Sequence, residues 1–303
     1  MVAIPILWMP VWTVTSDDRE RLQAALAEIS HVDAGVLVRV DAGADQVLYS
    51  GTSLDHLAET AQKLETGYEV TAWALEPQVR YLEAIRTASD GEGKYIRQTG
   101  GSGNYGHVKV RLEPGERGSG LLFRNAIVAE VIPERFIASV EGGVREGARG
   151  GVLAGFELTD CAAVLFDGSW HETDSNEMAF QIAATMAVQE AGRRASPVVM
   201  EPVMTVAFTV AEGRAGMMID EISARRGRVE DVEGTRGKAV VRAMIPLKEM
   251  LSWDCGPRTM VFSRYEPVPV PDQRGTGGVP ATRPRGPEPK PDAAAADPEG
   301  DWT

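Results

Sequence analysis

The same order of predicted elements occurs at both ends of this chain, and it limits the possible fold more than any other feature. Near the N-terminus the predicted strands are AIPILWMPVWTVT, GVLVRVD, QVLYS and YEVTAWA, and the helices are SDDRERLQAALAEIS, with Ser16 as N-cap, and SLDHLAETAQKLETG. Near the C-terminal end the strands are PVMTVAFTV, RVEDVEG, KAVVRAMIP and TMVFSRY, and the helices are AGMMIDEISARRG and a very short PLKEMLSW. Both series read β-α-β-β-α-β, the order of a ferredoxin-like domain.

A different pattern separates these two units. Strands are predicted in YGHVKVRLEP, GLLFRNAIVAE and GFELTDCAAVLFDGSWHE, and a helix in PERFIASVEGGVREGARGG. A second helix follows Asp174–Glu177, which resembles a capping box with Asp174 in the capping position. Its residues Met178, Ile182 and Met186 recur on one helical face and are predicted to be core.

These patterns predict an α+β protein with domains at residues 1–85, 86–200 and 201–265. Residues 266–303 hold 9 of the 18 prolines and almost no large apolar side chains. Such a composition cannot bury enough surface to offset the entropy of ordering, which predicts a disordered tail.

The stretch GGSGNYGH contains the letters G-x-G-x-x-G of a dinucleotide-binding turn at Gly101, Gly103 and Gly106. That site needs a helix directly after the glycines, and here HVKVRL alternates like a strand. A P-loop fails too, because His107 and Val108 stand where lysine and serine or threonine are needed. We therefore expect no phosphate site, no enzymatic activity and no cofactor.

What remains is a loop of Gly, Ser and Asn preceded by Lys94, Tyr95 and Arg97. Cations and an aromatic beside an adaptable loop suit phosphate and base contacts to RNA, although a plain β-turn explains the same letters. A net charge of −13 disfavours nucleic-acid binding driven by overall charge and leaves local contacts open.

Composition narrows the class of protein further. Two cysteines and four scattered histidines predict neither a disulfide framework nor a metal site. The apolar stretches are short and interrupted by charge, so no membrane span is expected. A reducing, cytoplasmic location is the prediction that fits these features.

Several stretches resemble a known family. GKYIRQTGGSGNYGHVKVRLEP and FDGSWHETDSNEMAFQIAATMAVQEA resemble domain IV of bacterial translation elongation factor G. VVMEPVMTV, IDEISARRGRVE and VVRAMIPLKEM resemble its domain V, and residues 1–80, with GTSLDHLAE, are more weakly similar to domain III. The resemblance implies two ferredoxin-like domains flanking a domain like the second domain of ribosomal protein S5.

The resemblance also implies site residues, because domain IV of that family reaches the decoding centre of the small ribosomal subunit. The first tip loop would be Gly100, Gly101, Ser102, Gly103 and Asn104, and the second Ser169, Trp170, His171, Glu172 and Thr173. His171 matches a tip histidine linked to translocation. Further contacts to ribosomal RNA are expected at Lys94, Arg97, Arg225, Arg226 and Arg228, with Ser223 beside them, although a solvated helix end also explains those arginines.

The sequence departs from the family in two ways. No GTPase motif occurs in these residues, and after KEMLSW only DCGPR precedes the last strand. Three hypotheses follow: a ribosome-binding protein without a GTPase domain, the C-terminal half of a split factor with a separate GTPase, or a scaffold or regulator that has left the ribosome. A truncated or decayed gene copy is the fourth possibility. The expected partners are ribosomal RNA and ribosomal proteins, with no membrane.

Overall fold

The structure is a computed structural model that describes residues 5–13, 15–41, 46–68, 70, 72–99, 102–128, 131–254, 256 and 258–268. Most of the predicted tail, residues 269–303, lies outside the described residues, as do Gly100 and Gly101. Within this part the chain forms three sheets, each covered on one face by helices.

The first unit contains β1 (Leu7–Trp12), α1 (Ser16–Val32), β2 (Val38–Asp41), β3 (Gln46–Gly51), α2 (Leu54–Tyr68), β4 (Trp73–Ala74) and β5 (Gln78–Val79). Its sheet has the order β2-β3-β1-β4, and β5 also pairs with β1. The N-cap of α1 is Thr15, whose hydroxyl accepts from the Asp18 amide at 3.0 Å, so the prediction of Ser16 was wrong by one residue. The core forms where Leu22 and Leu26 meet Val11 and Tyr49.

The third unit contains β11 (Pro197–Ala211), α5 (Ala215–Ala224), β12 (Arg228–Thr235), β13 (Lys238–Pro246), α6 (Leu247–Leu251) and β14 (Arg258–Pro267), preceded along the chain by β6 (Leu82–Ile85), which pairs with β11. The order β12-β13-β11-β14 repeats that of the first sheet. The predicted α+β class and both ferredoxin-like units are therefore confirmed. The shortened second helix is confirmed too, because α6 has five residues.

The middle unit contains β7 (Ser89–Thr99), β8 (Ser102–Pro114), β9 (Leu121–Asn125), α3 (Ile137–Arg149), β10 (Cys161–Ser169) and α4 (Glu177–Arg194). Its sheet order is β7-β8-β10-β9, with β9 and β10 parallel. Sequence patterns missed β7, whose letters SDGEGKYIRQT lack an apolar alternation. The domain boundaries at residues 85, 200 and 265 stay a prediction.

Three glycines explain how α4 lies on this sheet. A Cβ on Gly91, Gly93 or Gly106 would overlap the α4 backbone at Ala187, Ala183 and Ala179 respectively. The backbones therefore approach closely, which only small residues on both sides permit. Gly106, the last glycine of the G-x-G-x-x-G letters, is thus required for helix–sheet packing.

The predicted core stripe of α4 was wrong. Met178 and Met186 are exposed, and the buried residues of the helix are Ala179, Phe180, Ala183, Ala184, Ala187, Val188, Ala191 and Gly192. Both stripes have helical spacing, and the close approach to the strand glycines selects the alanine stripe for the interior.

A buried carboxylate joins the middle and third units. Glu83 lies on β6, which pairs with β11, and its side chain accepts four backbone N–H bonds from Val152, Leu153, Ala154 and Phe156 at 2.5–3.1 Å. Glu83 is fully buried, and four donors can satisfy its charge. The loop after α3 is therefore fixed to a strand of the third sheet.

Candidate nucleic-acid interface

The ladder between β7 and β8 extends into the predicted loop. Thr99 pairs with Ser102 and Arg97 with Asn104. Ser102, Gly103 and Asn104 are strand residues, and the prediction that they form a loop was wrong in this respect. The predicted Gly100 and Gly101 lie outside the described residues.

The second predicted tip segment is a compact turn between β10 and α4. Ser169 ends β10, and the Ser175 amide donates to the His171 carbonyl at 3.1 Å while the Ser175 hydroxyl accepts from the His171 amide at 2.9 Å. The N-cap of α4 is Asn176, which accepts from the Ala179 amide at 2.9 Å. The predicted cap at Asp174 was therefore wrong, and Asp174 has a different role.

Asp174 fastens the second segment to the first. Its carboxylate accepts from the Gly103 amide at 3.2 Å, and its carbonyl accepts from the Tyr105 amide at 2.8 Å. The Asn176 side-chain amide donates to Asn104 at 2.7 Å. A Cβ on Gly103 would lie 2.6 Å from the Asp174 carboxyl carbon, so glycine is needed for this approach. We call Ser102–Tyr105 together with Ser169–Asn176 the tip.

A chain of four polar side chains supports the tip from the sheet below it. The Tyr105 hydroxyl is 2.8 Å from the Ser169 hydroxyl, which is 2.7 Å from Nδ1 of His107; Nε2 of His107 is 2.7 Å from the Glu92 carboxylate. With Nε2 protonated, every donor in the chain has an acceptor. Sequence reasoning missed this chain, although the alternation along β8 places Tyr105 and His107 on one face.

His171 stands at the outer end of the tip. Its side chain is exposed, and its Nδ1 is 3.1 Å from the Thr173 hydroxyl and 3.3 Å from the Asp174 carboxylate. Its ring lies 6.5 Å from that of Tyr105. Both polar contacts are made by Nδ1, and they orient the ring. Among the described residues, no partner contacts Nε2. Trp170 and Glu172 beside it are exposed.

Some of the cationic side chains near the tip form ion pairs with carboxylates, and others do not. Lys109 is 2.9 Å from Asp167, and Arg111 makes two bonds to Asp90 at 2.6 and 2.9 Å. The bond to Arg111 lowers the pKa of Asp90, and the bond to Lys109 lowers the pKa of Asp167. Among the described residues, Lys94 and Arg97 are exposed and form no ion pair.

The arginines predicted in the third unit are bound to internal partners. Arg226 has a φ of +57°, makes a bidentate pair with the buried Glu201 at 2.6 and 3.0 Å, and lies 3.1 Å from Glu249. The bond to Glu201 raises the pKa of Arg226. The Arg225 guanidinium lies 4.2 Å from the Trp253 ring centroid.

The remaining residues of that stretch, Ser223 and Arg228, are both exposed. Arg228 reaches Met244 Sδ at 3.1 Å and lies 4.0 Å from Glu266, with most of its side chain exposed. Ser223 donates to the Ile219 carbonyl at 2.9 Å. Of the three arginines, Arg228 is the one whose charge faces solvent most fully.

The described part lacks the features of two other classes of protein. It contains no group of three or more His, Cys, Asp or Glu side chains placed to hold a metal ion. None of its helices combines the length and the apolar character that crossing a bilayer requires. Cys161 is buried, and burial raises the pKa of its thiol to about 12.

Two models of one protein family match this chain. The model of elongation factor G, domain IV, matches residues 77–196, and the model of the elongation factor G C-terminus matches residues 198–274. The crystal structure of a protein from Thermus thermophilus is similar, with 33% sequence identity and a TM-score of 0.62. The similarity covers 89% of this chain and 42% of that protein, so the chain spans less than half of its length.

Proposed function

The chain belongs to the elongation factor G family, and on that premise we propose that it binds the ribosome at the translation-factor site through the tip of its middle unit. Proteins of this family are translation factors that act with the ribosome. The observation that carries the proposal is the fastening of both tip segments by Asp174, which holds His171 outward beside Tyr105. A rigid polar surface with an exposed histidine suits hydrogen bonding and stacking on unpaired RNA bases.

The role proposed for these residues is binding without catalysis. Neither matched model describes a GTPase domain, and the polar clusters of the tip hold one another rather than a substrate. We place the action in the cytoplasm because ribosomes work there. Lys94 and Arg97 would contact phosphate, since they are exposed beside the tip without an acidic partner.

Co-sedimentation with purified ribosomes at low salt tests the proposal. The native chain is expected to pellet with ribosomes, and His171→Ala is expected to weaken the affinity about tenfold, or about 1.4 kcal/mol. His31→Ala, an exposed histidine on α1, is the matched control and should bind like the native chain. A native chain that stays in the supernatant contradicts the proposal.

The salt dependence of the same binding tests the two unpaired cations. Replacing Lys94 and Arg97 by alanine should lower the slope of log affinity against log salt by about 1 for each phosphate contact removed. Arg193→Ala, at the far end of α4, should leave the slope unchanged. An identical slope in all three proteins would remove Lys94 and Arg97 from the interface.

A GTPase carried by another polypeptide is the second candidate partner. It is proposed because the matching family models describe domain IV and the C-terminus of elongation factor G, and no GTPase motif occurs in the given residues. A pull-down from native lysate should then recover a protein that binds GTP. If instead the chain binds a protein with no GTPase activity, insensitive to salt and without ribosomes, it acts as a scaffold or regulator.

A further inference from the structure

The face of the first sheet that points away from α1 and α2 carries an exposed pair of tryptophans. Trp12 on β1 and Trp73 on β4 are direct ladder partners, with ring centroids 5.6 Å apart and an interplanar angle of 43°. Their exposed fractions are 38% and 48%. Leu7 and Val11 of β1 pack in the core, so alternation puts Trp12 on the opposite face. Exposed aromatic surface of this kind marks a binding site.

The first unit as a whole is acidic. The first 80 residues contain twelve Asp and Glu but only five Lys and Arg. On the strand side of the unit, exposed Glu76 follows Trp73 by three residues. The Leu75 amide donates to the Pro10 carbonyl at 2.9 Å, which holds the chain beside Glu76 against β1. A ligand that combines apolar rings with positive charge complements this face.

The chain itself contains such a ligand. Residues 279–291, VPATRPRGPEPKP, include five prolines and three cations, Arg283, Arg285 and Lys290, against one acid, Glu288. Proline-rich segments favour the polyproline II conformation and bind grooves lined by aromatic side chains. Little entropy is lost on binding because the prolines already restrict the backbone.

The last described residues of the third unit lie close to Arg80, which in turn lies beside this face. The Val268 amide donates to the Val199 carbonyl at 2.9 Å, and the Tyr265 hydroxyl donates to the Arg80 carbonyl at 3.1 Å. The Arg80 guanidinium lies 5.9 Å from the ring centroid of Trp8, which stands four residues before Trp12 on β1.

The stretch of chain after Val268 is long compared with the part of β1 that joins Trp8 to Trp12. Trp8 and Trp12 are separated by about 13 Å along the strand, at roughly 3.3 Å per residue. Eleven residues lead from Val268 to residue 279 and span up to about 34 Å at roughly 3.1 Å per residue in polyproline II. This span exceeds the separation of Trp8 and Trp12 by about 21 Å, which leaves length for the path from Val268 to Trp8.

We propose that residues 279–291 dock within the same molecule on the Trp12–Trp73 pair. In this arrangement the prolines around Pro284 and Pro287 cover the indole rings, and Arg283 and Arg285 lie toward Glu76. The interaction is independent of ribosome binding, because the tip belongs to the middle unit.

Fluorine NMR of the full chain tests the docking. The six tryptophans are labelled as 5-fluorotryptophan, and Trp12→Phe and Trp73→Phe assign the two resonances. The variant replaces Pro284, Pro287 and Pro289 by glycine. The Trp12 and Trp73 resonances are expected to move, and their shift between H₂O and D₂O to increase, because the rings become exposed to solvent. The Trp170 and Trp253 resonances should not move.

A matched variant separates docking from a general effect of the tail. Ala293, Ala294 and Ala295 are replaced by glycine, which adds the same flexibility outside the segment, and the Trp12 and Trp73 resonances should stay at their native positions. Identical resonances in the native and proline variants overturn the proposal. If the resonance positions change with protein concentration, the docked segment belongs to a second copy of the chain. That result overturns docking within one molecule.

Discussion

The tip of the middle unit and the arginine stretch of the third unit were both predicted to contact RNA, yet the structure uses their polar groups in opposite ways. In the tip, neutral groups and carboxylates bind one another, as Asp174 binds Gly103, and Lys94 and Arg97 nearby stay unpaired within the described chain. In the arginine stretch, Arg226 is held by Glu201 and Arg225 lies on Trp253. Positive charge is therefore available to RNA beside the tip and largely bound internally in the third unit.

The difference shows that the positive charge of a sequence motif does not predict whether its side chains contact RNA or groups within the protein. The letters ARRGR predict a basic surface, but the left-handed backbone of Arg226 turns its side chain toward Glu201. We expect substitutions in the arginine stretch to lower stability, and substitutions in the tip to change ribosome binding with smaller costs in stability.

Arg226→Ala should have the largest effect. It leaves Glu201, whose side chain is 4% exposed, without its bidentate partner. Breaking such a pair lowers the free energy of unfolding by about 3 kcal/mol. Urea denaturation measures the loss, and Arg228→Ala, whose side chain is mostly exposed, should cost less than about 1 kcal/mol. Equal free energies of unfolding for Arg226→Ala and Arg228→Ala would contradict the conclusion that the arginine stretch stabilises the fold through Arg226.

Ser169→Ala should be next in size. It removes the hydroxyl that joins Tyr105 to His107, leaving both half-buried groups without that partner. The expected loss is about 1–2 kcal/mol in the free energy of unfolding. An unchanged unfolding curve for Ser169→Ala would show that the four-residue chain does not support the tip.

Asp174→Ala should cost about 1 kcal/mol in stability, because its acceptors are replaced in part by water. The local effect on the tip should be larger than the effect on global stability, because the Gly103 amide loses its acceptor. Hydrogen exchange at residues 103–105 should accelerate, while exchange in α5 stays constant. Acceleration in both regions would mean that the tip is not an independent structural element.

The acid dependence of the middle sheet should be the smallest effect. Asp90 and Asp167 have lowered pKa values, so their contribution to stability is complete above their ordinary pKa of 3.8 and is lost as pH falls through the lowered values. Both pairs are largely exposed, which limits the contribution. Unfolding curves between pH 6 and about pH 2 should show a shallower decline for Asp90→Asn. A steeper decline would reverse the sign derived from the ion pairs.

Most of the fold could be predicted from the sequence because the two ferredoxin-like units combine clear alternation with helical stripes. The hairpin of β12 and β13 and the shortness of α6 are examples. Element ends were less accurate, since Thr15 and Ser16, like Asp174 and Asn176, are both capable caps. The backbone that decides between them depends on tertiary contacts.

The candidate site was predicted less completely. Its positions along the chain came from the family resemblance, but β7 and the partners of Asp174 did not follow from local patterns. A contact such as Tyr105 with Ser169 joins residues 64 apart, and no periodicity in either stretch indicates it. Likewise, Glu201 shows no local sign that it pairs with Arg226.

The buried Glu83 carboxylate has a mechanical consequence. Its strand is part of the third sheet, and its four acceptor bonds hold the loop that follows α3, so two units share one residue as a joint. Arg80, three residues earlier, adds a bond to Glu157 at 2.6 Å on the same loop. We therefore expect the middle and third units to move together as one rigid body when a force acts on the far end of the middle unit.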